Sequence, residues 1–159
     1  MEICITDLEE YNNGKLRCEW VDIENMDIDD LNDKILDFLG DHEEWFISDY
    51  EDFPDYLGEY TTVEEIMETA EYVREYGHEV VSAFLDMGRI LDEIEDSYDG
   101  TWESEEDFTE NLLDSCGMFS EIPEWAVYYF DLEAYTKDLF MTDYTSVRTS
   151  DYQYMVFRN

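Results

Sequence analysis

Basic side chains are scarce: 8 Lys and Arg stand against 45 Asp and Glu in 159 residues, a formal net charge of -37. Nucleic acid and anionic membrane surfaces repel such a chain, so neither is expected as a partner and a basic protein is. Long apolar runs are missing as well. The longest, Trp125 to Phe130, falls far short of the roughly 18–20 residues that cross a bilayer. The opening Met1-Glu2-Ile3-Cys4 lacks the basic stretch that begins a secretory signal. Cysteine is limited to Cys4, Cys18 and Cys116, with no C-x-x-C pair. That argues against a disulfide framework and for a reducing cytoplasm, with each thiol expected as a small buried apolar group. Only two histidines occur, His42 and His78, both among acids on expected surface stretches. With no G-x-S-x-G, P-loop or H-E-x-x-H motif, catalysis is not expected and no cofactor is called for.

What is present excludes disorder. Hydrophobic residues make up 44% and aromatic residues 16% of the chain, whereas disordered chains of high charge have few of either. Nor is the charge a tail: residues 1–60 carry a net -17, residues 61–103 a net -11 and residues 104–159 a net -9. Carboxylates interleaved with apolar residues must coat folded elements.

The helical patterns show that coat. Asp27 is positioned to cap a helix running to Leu39 with Gly40 as its stop. Ile28, Leu31, Ile35, Phe38 and Leu39 form its apolar face, and Asp29, Asp30, Asp33 and Asp37 point elsewhere. Thr62 with Glu65 makes a capping box for a second helix, closed by Gly77. Its apolar positions are Val63, Ile66, Met67, Ala70 and Val73, while Glu64, Glu68, Glu71 and Glu75 form a separate stripe. Like charges at that spacing cost a few tenths of a kcal/mol per pair, so selection for stability alone would have placed Lys among them. A further helical pattern passes through Val80, Phe84, Met87, Leu91 and Ile94, outlined by Asp92, Glu93, Glu95 and Asp96. Ser104 with Asp107 opens another helix, Pro123 suits the first turn of a short one, and Asp131 caps a last one through Leu139 and Phe140.

Strand patterns fall near the ends. Ile3 and Ile5 alternate with Cys4 and Thr6, the turn signal Asn12-Asn13-Gly14 follows, and Leu16, Cys18 and Trp20 alternate after it, which predicts a hairpin. A third strand is predicted over Glu44–Tyr50, and a C-terminal hairpin over Tyr144–Arg148 and Tyr152–Phe157. The expectation is an α+β chain of three small units in an elongated row. These are a sheet with a helix over 1–61, an acidic helical unit over 62–103 and an α+β unit over 104–159. Calcium loops fail on inspection: Asp27, Asp29 and Asp33 fit positions 1, 3 and 7 of an EF-hand, but Leu31 and Asn32 stand where an oxygen ligand and a glycine are needed. Asp96-Ser97-Tyr98-Asp99-Gly100 fails in the same way, so no metal site is read.

The charge itself has a physical counterpart. Duplex DNA carries one negative charge per roughly 1.7 Å of axis, so 37 charges equal about 63 Å of duplex, near 18 base pairs. A compact chain of this length has a radius of gyration near 15 Å, and drawing it out into a rod relieves its self-repulsion. A two-fold dimer would present about 35 base pairs' worth of charge. Such a body would fill the basic groove of a DNA-binding enzyme. Two other readings fit the charge: an acidic adaptor for another basic protein, and a halophile-type acidic coat without mimicry.

Order and motif go further. Tyr128-Tyr129-Phe130-Asp131-Leu132-Glu133-Ala134-Tyr135-Thr136-Lys137-Asp138-Leu139 resembles the Y-F-D-x-E-A-Y-x-R-D-L signature of the ArdA antirestriction family, with Lys137 in place of the usual Arg. Tyr11-Asn12-Asn13-Gly14 with Trp20, Asp49-Tyr50-Glu51 with Phe53-Pro54, Glu59-Tyr60-Thr61, and the run from Gly117 to Pro123 align in the same order. The resemblance implies an inhibitor carried by mobile elements, acting in the bacterial cytoplasm. It would block type I restriction-modification enzymes at their DNA-recognition and methyltransferase core by mimicking bent duplex. It also implies an elongated three-domain fold that dimerises through its C-terminal domain. The family's antirestriction motif would fall on Met118–Leu132, where Phe119, Ile122, Trp125, Tyr129 and Asp131 are candidates for packing or the dimer. The expected phosphate-mimicking surface comprises Asp29, Asp30, Asp33, Asp37, Glu64, Glu68, Glu71, Glu75, Asp92, Glu93, Glu95 and Asp96.

Overall fold

Local signals in the sequence set most of the element boundaries. The computed structural model describes residues 1–55 and 57–159, with Glu121 described by its backbone alone. The chain divides into two compact units, Met1–Leu91 and Asp92–Asn159.

In the first unit, β1 (Glu2–Asp7) is the central strand of an antiparallel sheet in the order β2-β1-β3. It pairs with β2 (Cys18–Asp22) from Glu2↔Asp22 to Thr6↔Cys18, and with β3 (Trp45–Glu51) with a register shift between Cys4 and Ile5. The predicted hairpin is replaced by a short helix, α1 (Leu8–Asn12), inserted between the strands. Its cause is Asp7, whose side chain accepts the Glu10 N–H at 3.0 Å and starts a helical turn before the Asn-Gly signal is reached. Pairing resumes only at Cys18, which leaves Leu16 74% exposed.

Two helices then cover one face of this sheet. α2 (Ile28–Leu39) opens on a reciprocal capping box between Asp27 and Asp30 and ends at Gly40, which has positive φ. It buries Leu31, Ile35, Phe38 and Leu39, but Ile28, expected on the apolar face, lies in the first turn and stays exposed. α3 (Val63–Tyr76) opens on the Thr62–Glu65 capping box, and Val63, Ile66, Met67 and Ala70 join Ile3, Ile5, Val21 and Ile47 in one core. Gly77, at φ 89° and ψ 152°, ends α3 and at once begins α4 (His78–Asp86). That combination is open essentially to glycine alone. The helical pattern expected to continue to Ile94 breaks after Asp86: Gly88 takes a left-handed turn at φ 74°.

In the second unit, a 3-10 turn (Leu91–Glu93) leads into α5 (Ile94–Ser97) and β4 (Tyr98–Trp102). Then come α6 (Glu105–Ser115), α7 (Met118–Glu121), α8 (Glu124–Val127), α9 (Leu132–Thr142), β5 (Tyr144–Arg148) and β6 (Tyr154–Arg158). The predicted C-terminal hairpin forms, with Tyr144↔Arg158 and Val147↔Met155 in register. The sheet has a third strand that the sequence pattern did not disclose: β4 pairs antiparallel with the other edge of β6. Its Asp99-Gly100 core is too polar and too short to show alternation. Phe108 on α6 is the hub of the packing. Its ring meets Tyr144 at 4.8 Å, Trp102 at 5.6 Å and Phe140 at 5.8 Å between centroids, largely edge-on.

The structure is therefore α+β, with small antiparallel sheets toward the two ends and helices between. Among the described residues no helix is long and apolar enough to cross a membrane. The cysteines depart from expectation: Cys4 is buried, but Cys18 on the edge strand and Cys116 after α6 are exposed.

Candidate functional site

An amphipathic helix that buries one stripe must show the other, and here the other is carboxylate. Asp29, Asp30, Asp33 and Asp37 on α2 are all exposed, as are Glu64, Glu68, Glu71 and Glu75 on α3. By the helical rise of 1.5 Å per residue, the α2 acids follow one another at about 4 Å along the axis and the α3 acids at about 5.5 Å. One strand of a duplex carries its charges about every 3.4 Å of axis. The α2 acids thus approach the linear charge density of a single DNA strand, and the α3 acids reach about 60% of it. Asp92, Glu93, Glu95 and Asp96 are exposed at the start of the second unit, around the 3-10 turn and α5.

Whether these charges are felt outside depends on where the few cations sit. Arg17 is tied up by its hydrogen bonds: its guanidinium donates to Asp7 at 2.9 Å and to the carbonyls of Phe38 and Leu39, closing the C-terminal end of α2. Arg74 donates to the Ile23 carbonyl at 2.9 Å rather than to the glutamates of its own helix. Arg89 lies over the Phe84 ring, Arg148 over the rings of Tyr152 and Tyr154. Lys34 pairs with Glu19, Lys15 with Glu10 and Arg158 with Asp99. Among the described residues, none of the eight acids on α2 and α3 has a basic side chain within ion-pair distance. Lys34 on α2 and Arg74 on α3 offset part of their charge, and water and salt screen the rest.

His42 departs from the expected surface position. Its Nδ1 donates to Asp7 at 2.5 Å, and the Asp7 carboxylate is wholly buried. Burial by itself would push Asp7 up. The Glu10 N–H, His42 and Arg17 outweigh it and hold the carboxyl below the usual Asp range. The Asp7 hydrogen bond in turn raises His42 above the usual imidazole range, against some desolvation. This cluster joins β1, α1, β2 and the end of α2, and it is structural; only the D-x-x-E cap of α1 hinted at it in sequence. His78, by contrast, is exposed at the start of α4.

The segment from Met118 to Leu132 presents a different surface. Phe119 is half-buried, edge-on to Phe130 at 5.6 Å, and Ile122 is half-buried at the end of α7. Asp131 caps α9, accepting the Ala134 N–H at 3.0 Å. Trp125 and Tyr129 do not pack inward: they are 71% and 77% exposed, and Tyr128, edge-on to Tyr129, is 85% exposed. Three large aromatics within five residues are thus exposed on this segment.

Among proteins of curated function, none matches the chain. A family model does: the one described as antirestriction protein (ArdA) matches residues 3–154, and it spans both units and every acid named above. The chain belongs to the ArdA antirestriction protein family.

Proposed function

We propose that this protein inhibits type I restriction-modification enzymes by occupying their DNA-binding groove as a mimic of duplex DNA. The observation that carries this reading is the pair of acid-bearing helices with no basic partner, spaced close to the phosphates of a strand. Side-chain anions on α2 and α3, together with Asp92, Glu93, Glu95 and Asp96, stand in for phosphates. Lys and Arg of the enzyme's DNA-recognition and methyltransferase core receive them. Successive segments 1–61, 62–103 and 104–159 each contribute a charged stretch. Two copies associate through the C-terminal segment. Exposed Trp125, Tyr128 and Tyr129 supply the apolar area that an interface core favours. The protein acts in the cytoplasm of a bacterial host, where the restriction enzymes are.

Competition tests this directly. Purified protein is added to a type I methyltransferase holding a fluorescent duplex at moderate salt. Displacement near stoichiometric amounts is expected, weakening as salt rises. A duplex that stays bound in large excess of the protein overturns mimicry and leaves the adaptor reading. Unfolding in dilute buffer, followed by circular dichroism, would instead indicate a halophile-type coat.

A further inference from the structure

We propose that the cleft between β4, α6 and α7 is an anchor site for a single arginine side chain, presented by the basic partner of the proposed inhibition. The cleft is about 450 Å3 and is lined by Trp102, Asp107, Glu110, Asn111, Asp114 and Phe119. Positions 107, 110, 111 and 114 recur at i, i+3, i+4 and i+7, so α6 turns three carboxylates and an amide into one concavity. Among the described residues, none of the three carboxylates has a basic partner. Acids alone would make this one more solvated face, like those of α2 and α3. Two aromatic walls make it different.

Both walls are held before any ligand arrives. The Trp102 indole N–H donates to the Asp99 carbonyl at 3.0 Å, and its ring packs edge-on against Phe108. Phe119 is fixed edge-on against Phe130. A concave site with preset apolar walls and convergent charges selects a ligand that is flat, apolar on its faces and cationic at its edge. The guanidinium meets all three conditions: it stacks on aromatic faces and donates in the plane to carboxylates and to the Asn111 amide oxygen. An ammonium is a compact, strongly hydrated point charge and gains less from the rings. The cleft therefore differs from the helix stripes in kind: the stripes attract any cation, and the cleft prefers arginine.

The first test needs no enzyme. The 15N-labelled protein is titrated at low salt with acetyl-Gly-Arg-Gly-amide, its lysine counterpart and its uncharged citrulline counterpart, with the Trp102 indole N–H as readout. The arginine peptide should give a saturable shift with a dissociation constant of the order of 1 mM, the lysine peptide should bind at least about threefold more weakly, and citrulline should not saturate. Equal arginine and lysine affinity overturns the proposal, as do shifts spread evenly over α2, α3 and α6. An indole shift that follows protein concentration without peptide would make a second copy the occupant, which also overturns it. The second test is duplex competition with two triple variants of equal charge: Asp107→Asn/Glu110→Gln/Asp114→Asn, and Asp29→Asn/Asp33→Asn/Asp37→Asn. The α6 triple should lose about tenfold in potency and the α2 triple about two- to threefold, since carboxylates that converge on one guanidinium between two rings are worth more than charges spread along a helix. Equal losses overturn the cleft alone. If the unaltered protein displaces no duplex, the mimicry reading falls and the peptide titration still decides the cleft.

Discussion

Asp7→Ala is the substitution whose effect can be worked most fully. The wild-type carboxylate is wholly buried and receives the Glu10 N–H at 3.0 Å, Arg17 at 2.9 Å and His42 at 2.5 Å. Losing the cap of α1 costs about 1 kcal/mol. Breaking a buried, hydrogen-bonded pair from one side costs about 3–5 kcal/mol. That figure shrinks to about 2 kcal/mol here, because exposed pairs are worth far less and the Arg17 side chain is 42% exposed and keeps two carbonyl partners. Together the first unit should lose about 3 kcal/mol, a fall of about 1.5–2 M in its urea midpoint. The Ile3 and Ile5 amide signals in the central strand follow this unit specifically. Asp7→Asn keeps an acceptor for the Glu10 N–H and should lose about 1 kcal/mol less. The pH dependence carries a second signature. Asp7 is held low, so its contribution is present above the ordinary carboxylate range and is lost as pH falls through its folded value. His42 is held high, so its contribution is present below about pH 6.5 and is lost as pH rises through its raised value. Acidification also relieves the overall repulsion, equally in wild type and variant, so the difference between them isolates the cluster. A midpoint loss under about 0.5 kcal/mol for Asp7→Ala, the scatter of ordinary surface changes, would refute this account.

Neutralising the α3 stripe as Glu64→Gln/Glu68→Gln/Glu71→Gln/Glu75→Gln removes four like-charged neighbour pairs, Glu65–Glu68 included, against one attractive Glu71–Arg74 pair. It should raise stability by about 1 kcal/mol in urea titration while lowering potency in the duplex competition. Raising salt from about 0.05 to 0.5 M should shift the thermal midpoint up and the inhibitory potency down in the same sample, because screening relieves self-repulsion and weakens groove binding together. Gly77→Ala should cost about 1–3 kcal/mol, measured by denaturant midpoint, since its positive φ with extended ψ is strained for any residue with a Cβ.

Helix starts were the most legible part of the fold. Asp27, Thr62, Ser104 and Asp131 each cap the helix predicted from them, because a cap is a local bond between residues three apart. Elements decided by distant partners were less legible. β4 exists because β6 offers it an edge, and nothing in Tyr98-Asp99-Gly100 announces that. α1 opens on a local cap, Asp7 to Glu10, that competes with the stronger Asn-Gly turn signal just after it, and Arg17 and His42, 10 and 35 residues away, hold Asp7 in that role. The acid stripes could be read directly, since they are the complement of the apolar periodicity. The α6 acids were hidden behind the Ser104–Asp107 capping signal, and only the fold brings Trp102 and Phe119 to their side. Exposure of Trp125 and Tyr129 was equally out of reach of periodicity, which reads aromatics at helical spacing as core.

The bonding of Arg17 and Arg74 to backbone carbonyls rather than to the acid stripes has an evolutionary consequence. Almost any surface mutation to lysine would relieve crowding and make the molecule sturdier, so random drift should push such a chain toward neutrality. On the proposed mode of action each of those gains would blur the likeness to a nucleic acid. Selection would then hold the lineage well below the robustness its scaffold could reach. The two arginines whose guanidinium groups bond to backbone carbonyls would be among the few positive charges it can keep without cost to its disguise.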